Sequence, residues 1–163
     1  MINRLFVKMV EYYKGDPKRI QHFVKVHSFA KLIGEFEGLS ADETVVLEAA
    51  ALVHDIGIKP AEAQYGECGG KLQEKLGGEP AEIMLREIGF DEAVTSRVKY
   101  LVGHHHTYTD IDGMDYQILV EADFLVNLYE DGCSDNAVAA ARNSIFVTKT
   151  GKMLLNTMFA AEL

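Results

Sequence analysis

Cysteine is scarce in this chain. Cys68 and Cys133 are its two thiols, far apart and outside any Cys-x-x-Cys spacing. Neither a disulfide framework nor a zinc knuckle is expected, and two free thiols fit a reducing compartment. Long apolar runs are missing too, none approaching the roughly 18 residues that a membrane span needs. Met1-Ile2-Asn3-Arg4-Leu5 does not lead into a secretory signal, so a cytoplasmic location with no membrane partner is expected. Positive charge is outnumbered, with 16 Lys and Arg against 25 Asp and Glu and a formal net charge of −9. That balance argues against direct nucleic-acid binding, which draws its affinity from cations neutralising phosphates. A small phosphorylated ligand stays compatible, because a local cluster of positive charge in one cleft is enough.

Clean alternation of apolar and polar residues is also absent, Ile145-Phe146-Val147-Thr148 being a minor ambiguity. No internal repeat breaks the chain into a solenoid, and 163 residues suit one domain, 1–163, with a sizeable core. What is present is helical periodicity. Asp16-Pro17 reads as a cap and first-turn proline opening a helix to about Glu37, with His27 on its inward side and His22 at the surface. Ser40 and Glu43 form a capping box for a second helix that ends at His54-Asp55, stopped by Gly57 and Pro60. Residues 64–80 hold Gly66, Gly69, Gly70, Gly77, Gly78 and Pro80, which predicts a mobile loop or lid. Periodicity returns at 81–88, after an Asp91 cap through Val102, from about Asp115 to Tyr129, from Ala137 to Phe146, and in a last helix ending near Ala161. Asp110, Asp112 and Asp115 read as a capped turn, since no Glu completes a calcium loop. The expected fold is all-α, a compact helical bundle.

The doublet His54-Asp55 closes the apolar run Ala49-Ala50-Ala51-Leu52-Val53. Burying an imidazole and a carboxylate without partners costs several kcal/mol, and a metal ion would supply the partner. His27 and Asp123, each within its own apolar segment, fit the same reading. Two histidines and two aspartates form a mixed nitrogen and oxygen set suited to a divalent Mn, Fe, Co, Ni, Zn or Mg ion and poorly suited to calcium. Such an ion lowers the pKa of water and polarises a phosphoryl oxygen, the needs of phosphoester hydrolysis. Lys59 is placed to offset phosphate charge, His104 and His105 to bind a second metal or the substrate, and His106 to be exposed or supporting. Asn127, four residues after Asp123 on the same helix face, is placed to orient a ligand or the substrate.

In order and spacing, His27, His54-Asp55-Ile56-Gly57, His104-His105 and Ala122-Asp123 resemble the HD-domain superfamily of metal-dependent phosphohydrolases, over most of the chain. The resemblance implies a helical bundle around a metal held by His27, His54, Asp55 and Asp123, with Asp55 and Lys59 as catalytic residues. It implies one or two ions per chain and a small phosphorylated substrate, a nucleotide being the first expectation. The chain departs from the dinuclear members in having no histidine in Leu72–Ala81, where Glu74 or Glu79 would have to substitute as an oxygen ligand. Lys59 also falls one residue beyond the lysine of the common His-Asp-Ile-Gly-Lys form. Rival expectations are a noncatalytic nucleotide-binding signalling module of the same fold and a dinuclear iron oxygenase.

Overall fold

A computed structural model describes residues 1–160. Among them the chain forms α1 (Ile2–Tyr12), α2 (Pro17–Glu37), α3 (Ala41–Val53), α4 (Ile58–Tyr65), α5 (Gly70–Ile88), α6 (Glu92–Val102), α7 (Met114–Glu130), α8 (Asp135–Ser144) and α9 (Lys149–Met158), with no strand. The capping residues mark several starts. Asp16 accepts from the Arg19 amide at 3.1 Å ahead of Pro17, and Ser40 and Glu43 close a reciprocal capping box on α3. Asp91, Ser134 and Thr148 cap α6, α8 and α9 in the same manner.

At the centre stands α3, whose Leu47 and Ala49–Val53 are fully buried. It packs against α1, α2, α6 and α7. Alanines at 49, 50 and 51 keep its girth small, which lets several helices approach it at once. The second core element is α7, buried at every residue from Asp115 to Asp123. Glu121 is fully buried on it, and its carboxylate accepts from the Val147 amide at 2.6 Å, the Thr148 amide at 2.9 Å and Gln117 Nε2 at 2.8 Å. Those donors fix the α8–α9 link, Ile145–Thr148, as a backbone clasp on α7, where the sequence left a minor strand ambiguity.

Two expectations about the backbone are corrected. Residues 64–80 are not a loop, because α5 starts at Gly70 and carries Gly77, Gly78 and Pro80 inside it. The glycines are there for contact: a Cβ on Gly77 would lie 2.7 Å from Val102 Cγ1, and one on Gly57 2.4 Å from the Gln73 carbonyl oxygen. Pro60 stops nothing, since it sits in the first turn of α4, where a missing N–H costs no helical bond. The last helix, α9, ends at Met158, and the expected end near Ala161 lies outside the described residues. No described helix is long and apolar enough to cross a membrane.

Candidate metal centre

Three helix ends and faces meet beneath a cavity of about 360 Å3 lined in part by Lys18, Arg19, His22, Asp55, Asn127 and Glu130. His54 is the C-cap of α3, where the backbone leaves the helix and can aim neighbouring side chains at one point. The turn is held from α1: Tyr13 donates to the Asp55 carbonyl at 2.6 Å and Tyr12 to that of Ile56 at 3.1 Å. His22 arrives from the second turn of α2 and Asp123 from the middle of α7.

The geometry is tight. His22 Nε2 lies 3.2 Å from His54 Nε2 and 3.2 Å from Asp123 Oδ1. Asp55 Oδ2 lies 3.5 Å from both imidazole nitrogens, and His54 Nε2 is 3.5 Å from Asp123 Oδ1. The other ring nitrogens define the tautomers. His54 Nδ1 donates to the Ala51 carbonyl at 2.9 Å, and His22 Nδ1 to Glu130 Oε2 at 2.9 Å. With Nδ1 carrying the hydrogen, each neutral ring turns an Nε2 lone pair toward the other and toward two carboxylates. Lone pairs converging without a donor between them require a cation.

In the metal-free protein a proton answers that requirement. Burial alone would lower the His54 pKa, but Asp55 and Asp123 outweigh it and push it up to about 9. Asp55 moves the opposite way, to about 2, burial being overcome by His54, His105 and His22. Asp123 is held well below the usual carboxylate range; burial opposes this, and its bonds to His22 and His54 prevail. The donor set therefore fits a divalent metal, with Glu130 orienting His22 from behind as an outer carboxylate commonly does for a ligating imidazole. Lys25 in turn holds Glu130 at 2.5 Å.

A second grouping shares Asp55. His22, His54 and Asp123 each bring one ligand atom within 4.8 Å of the others, and so do Asp55, His105 and His106. His105 is buried with Nδ1 on the Val102 carbonyl at 2.9 Å, while its Nε2 has no hydrogen-bond partner and lies 3.7 Å from Asp55 Oδ1. Asp55 thus faces one group with Oδ2 and the other with Oδ1.

Of the residues singled out in the sequence, His54, Asp55, Asp123 and His105 converge here. Asn127 stands behind Asp123, donating to its Oδ1 at 2.9 Å. His27 does not join them. Its Nε2 pairs with Glu48 Oε2 at 2.9 Å beside Lys31, on another side of α2, and burial lowers its pKa. His22, read as a surface residue, takes the place expected of His27 and is 8% exposed. Lys59 is spent on α1, donating to the Tyr12 carbonyl with its ammonium over the Tyr12 ring, 4.7 Å from the centroid. His104 turns outward and stacks on Tyr100 with centroids 4.2 Å apart, so His106, not His104, accompanies His105. Glu74 is no ligand, since it accepts from the His106 amide at 3.1 Å and the Thr107 hydroxyl at 2.8 Å and so ties down the histidine turn. Glu79 is exposed on α5, away from both groupings.

Among known proteins, the family model described as HD domain matches residues 19–141. No curated protein matches the chain. Among solved structures it is similar to a predicted HD superfamily hydrolase from an uncultured Thermotogales bacterium, determined at 1.45 Å. The TM-score is 0.69 at 26% identity, over 97% of this chain and 84% of that one. The family match spans His22, the His54-Asp55 doublet, the histidine turn and Asp123 together, and on its extent the chain belongs to the HD-domain family.

Proposed function

We propose that this chain is a metal-dependent hydrolase acting on a phosphoester in a small molecule, with a nucleotide as the expected substrate. The observation that carries the reading is the convergence of His22, His54, Asp55 and Asp123 on one point at the floor of an open cavity, with imidazole lone pairs facing carboxylates. These four would hold one divalent ion, and Asp55 with His105 would offer ligands to a second, which His106 would join only by exchanging one of its hydrogen bonds to Tyr108 and Gln73. A divalent ion there supplies Lewis acidity toward a phosphoryl oxygen and makes water more acidic.

The chain's own residues bind and orient the ester. Lys18 and Arg19, at the opening turn of α2, put positive charge on the cavity wall above the carboxylates. They take the part expected of Lys59. Arg19 is oriented by Asp16 at 2.8 Å and Glu62 at 2.6 Å, so a phosphate would have to take the guanidinium from at least one of these carboxylates. Asn127 keeps Asp123 in place from below.

The test pairs elemental analysis with a hydrolysis screen over nucleotides and sugar phosphates. Asp55→Ala is expected to lose both bound metal and turnover. Full metal content and full activity in that variant would sink the proposal, as would a metal-loaded wild type inert toward every phosphoester tried.

A further inference from the structure

Beside the metal centre lies a second cavity of about 300 Å3, lined by Tyr108, Phe124, Asn127, Leu128, Asp131 and Cys133. Asn127 and Asp131 also line the cavity over the metal ligands, so the two spaces adjoin across these side chains. One helix builds both. Asp123, Asn127 and Asp131 follow at four-residue steps and border the metal side. Phe124 and Leu128 form the neighbouring stripe, about 100° round the same axis. The distance from Asp123 to the Phe124–Leu128 wall is therefore set by the pitch of α7, while Tyr108 and Cys133 come from the segments before and after that helix.

The walls have a distinct chemistry. Tyr108 and Phe124 meet edge to face with centroids 5.1 Å apart and planes at 72°. The Tyr108 hydroxyl reaches His106 Nδ1 at 3.3 Å, and His106 Nε2 donates to Gln73 Oε1 at 3.1 Å, so the tyrosine ring is anchored at the border of the two spaces. Leu128 and the half-buried Cys133 complete an apolar lining, with the carboxylate of Asp131 at the rim. No lysine, arginine or histidine lines this pocket, so it has nothing to offer a phosphate. A polyhydroxylated group would find few partners against these rings, whereas a flat ring with apolar faces would be matched on them.

We propose that this pocket is the subsite for a planar ring carried by the ester's leaving group, with Phe124 and Tyr108 as the residues that set specificity. The proposal rests on the phosphoester reading above and adds where the rest of the substrate lies.

Non-hydrolysable probes separate the two. In isothermal titration of the Mn2+-loaded full chain, phenylphosphonate is expected to bind about tenfold more tightly than methylphosphonate. In Phe124→Ala that preference should fall to about twofold or less. Phe124 is partly buried, so Cys133→Phe, which fills the pocket from its other wall, is the second variant and should erase the preference in the same way. Equal affinity of the wild type for both phosphonates, or a preference that survives both substitutions, overturns the proposal while leaving the phosphoester reading intact. Failure of both phosphonates to bind removes that underlying reading, and this one with it.

Discussion

His22 and His27 are five residues apart on α2, about 140° around the helix axis. Both face protein, because α2 packs against α3, α7 and α9 and is apolar on more than one side. Periodicity alone gives such a helix no single inward direction, so sequence could place a ligating histidine on it without fixing which one. The available signal was the stripe His22, Val26, Ala30 and Ile33, all buried at steps of three or four. His22→Ala is expected to cost more than about 100-fold in metal affinity, since even outer-shell losses cost roughly 10- to 100-fold. His27→Ala should keep its metal and lose about 1–3 kcal/mol of stability as Glu48 gives up a buried partner. Elemental analysis and urea unfolding of the two variants check the pair. His54 makes a further prediction, on pH. Its pKa rises from an ordinary 6.5 to about 9 on folding without metal, so its contribution to stability is full below pH 6.5 and disappears as pH rises through 9. Metal must displace that proton, and His22, whose pKa burial lowers but Asp123 and Asp55 raise on balance, adds to the dependence in the same direction, so metal affinity should climb by at least about tenfold per pH unit toward pH 9. Asp55, ionised above about pH 2, adds no slope in that range. Competition titrations at several pH values between 6.5 and 9 read this directly; a flat profile would mean that His54 is not protonated in the metal-free protein.

At the level of elements, side-chain caps made α2, α3, α6 and α8 legible in the sequence, because Asp16, Ser40, Asp91 and Ser134 each leave a local mark. Four of the described helices carry no side-chain cap, α1, α4, α5 and α7, of which α7 was legible from its apolar run. The N-cap of α1 makes no side-chain bond, and α5 opens on glycine and carries further breakers. Glycine as a turn former and glycine as a place for close approach look alike in one dimension; a neighbouring helix must be known to tell them apart. Gly57 and Gly69 separate the two cases. A Cβ on Gly57 would meet backbone, 2.4 Å from the Gln73 carbonyl oxygen and 3.0 Å from Gly77 N, where no side chain can rotate away. Gly57→Ala is therefore expected to destabilise by about 1–3 kcal/mol. Gly69 has an ordinary φ of −60° and nothing within 4 Å of a Cβ, so Gly69→Ala should stay within about 0.5 kcal/mol. Equal unfolding midpoints for the two variants would show that α4 and α5 do not depend on that contact.

Across the whole molecule, the groups that could hold a metal come from segments remote in sequence: the start of α2, the end of α3, the turn after α6 and the middle of α7. The class of fold was legible because apolar residues recur at helical spacing and almost nowhere alternate. The convergence of these four segments was not, since it depends on which helices pack on α3 and α7. The same convergence makes the site part of what holds the bundle together. His54, His105 and Asp123 are essentially inaccessible to solvent, so unfolding the core and opening the site are one event. A metal that binds only the assembled set must then stabilise the fold by mass action, by about 2.7 kcal/mol at a hundred times its dissociation constant. For a chain of this size roughly 2–4 °C accompanies each kcal/mol, which predicts a rise in Tm of about 5–10 °C on metal loading, reversed by a chelator. Glu11, Glu35 and the other exposed carboxylates of this acidic chain would also collect divalent ions, but weakly and without regard to the core. His22→Ala discriminates between the two kinds of binding: it should abolish the metal-dependent rise in Tm while leaving those surface carboxylates in place. A variant that still gains the full 5–10 °C would place the stabilising ion somewhere other than between α2, α3 and α7.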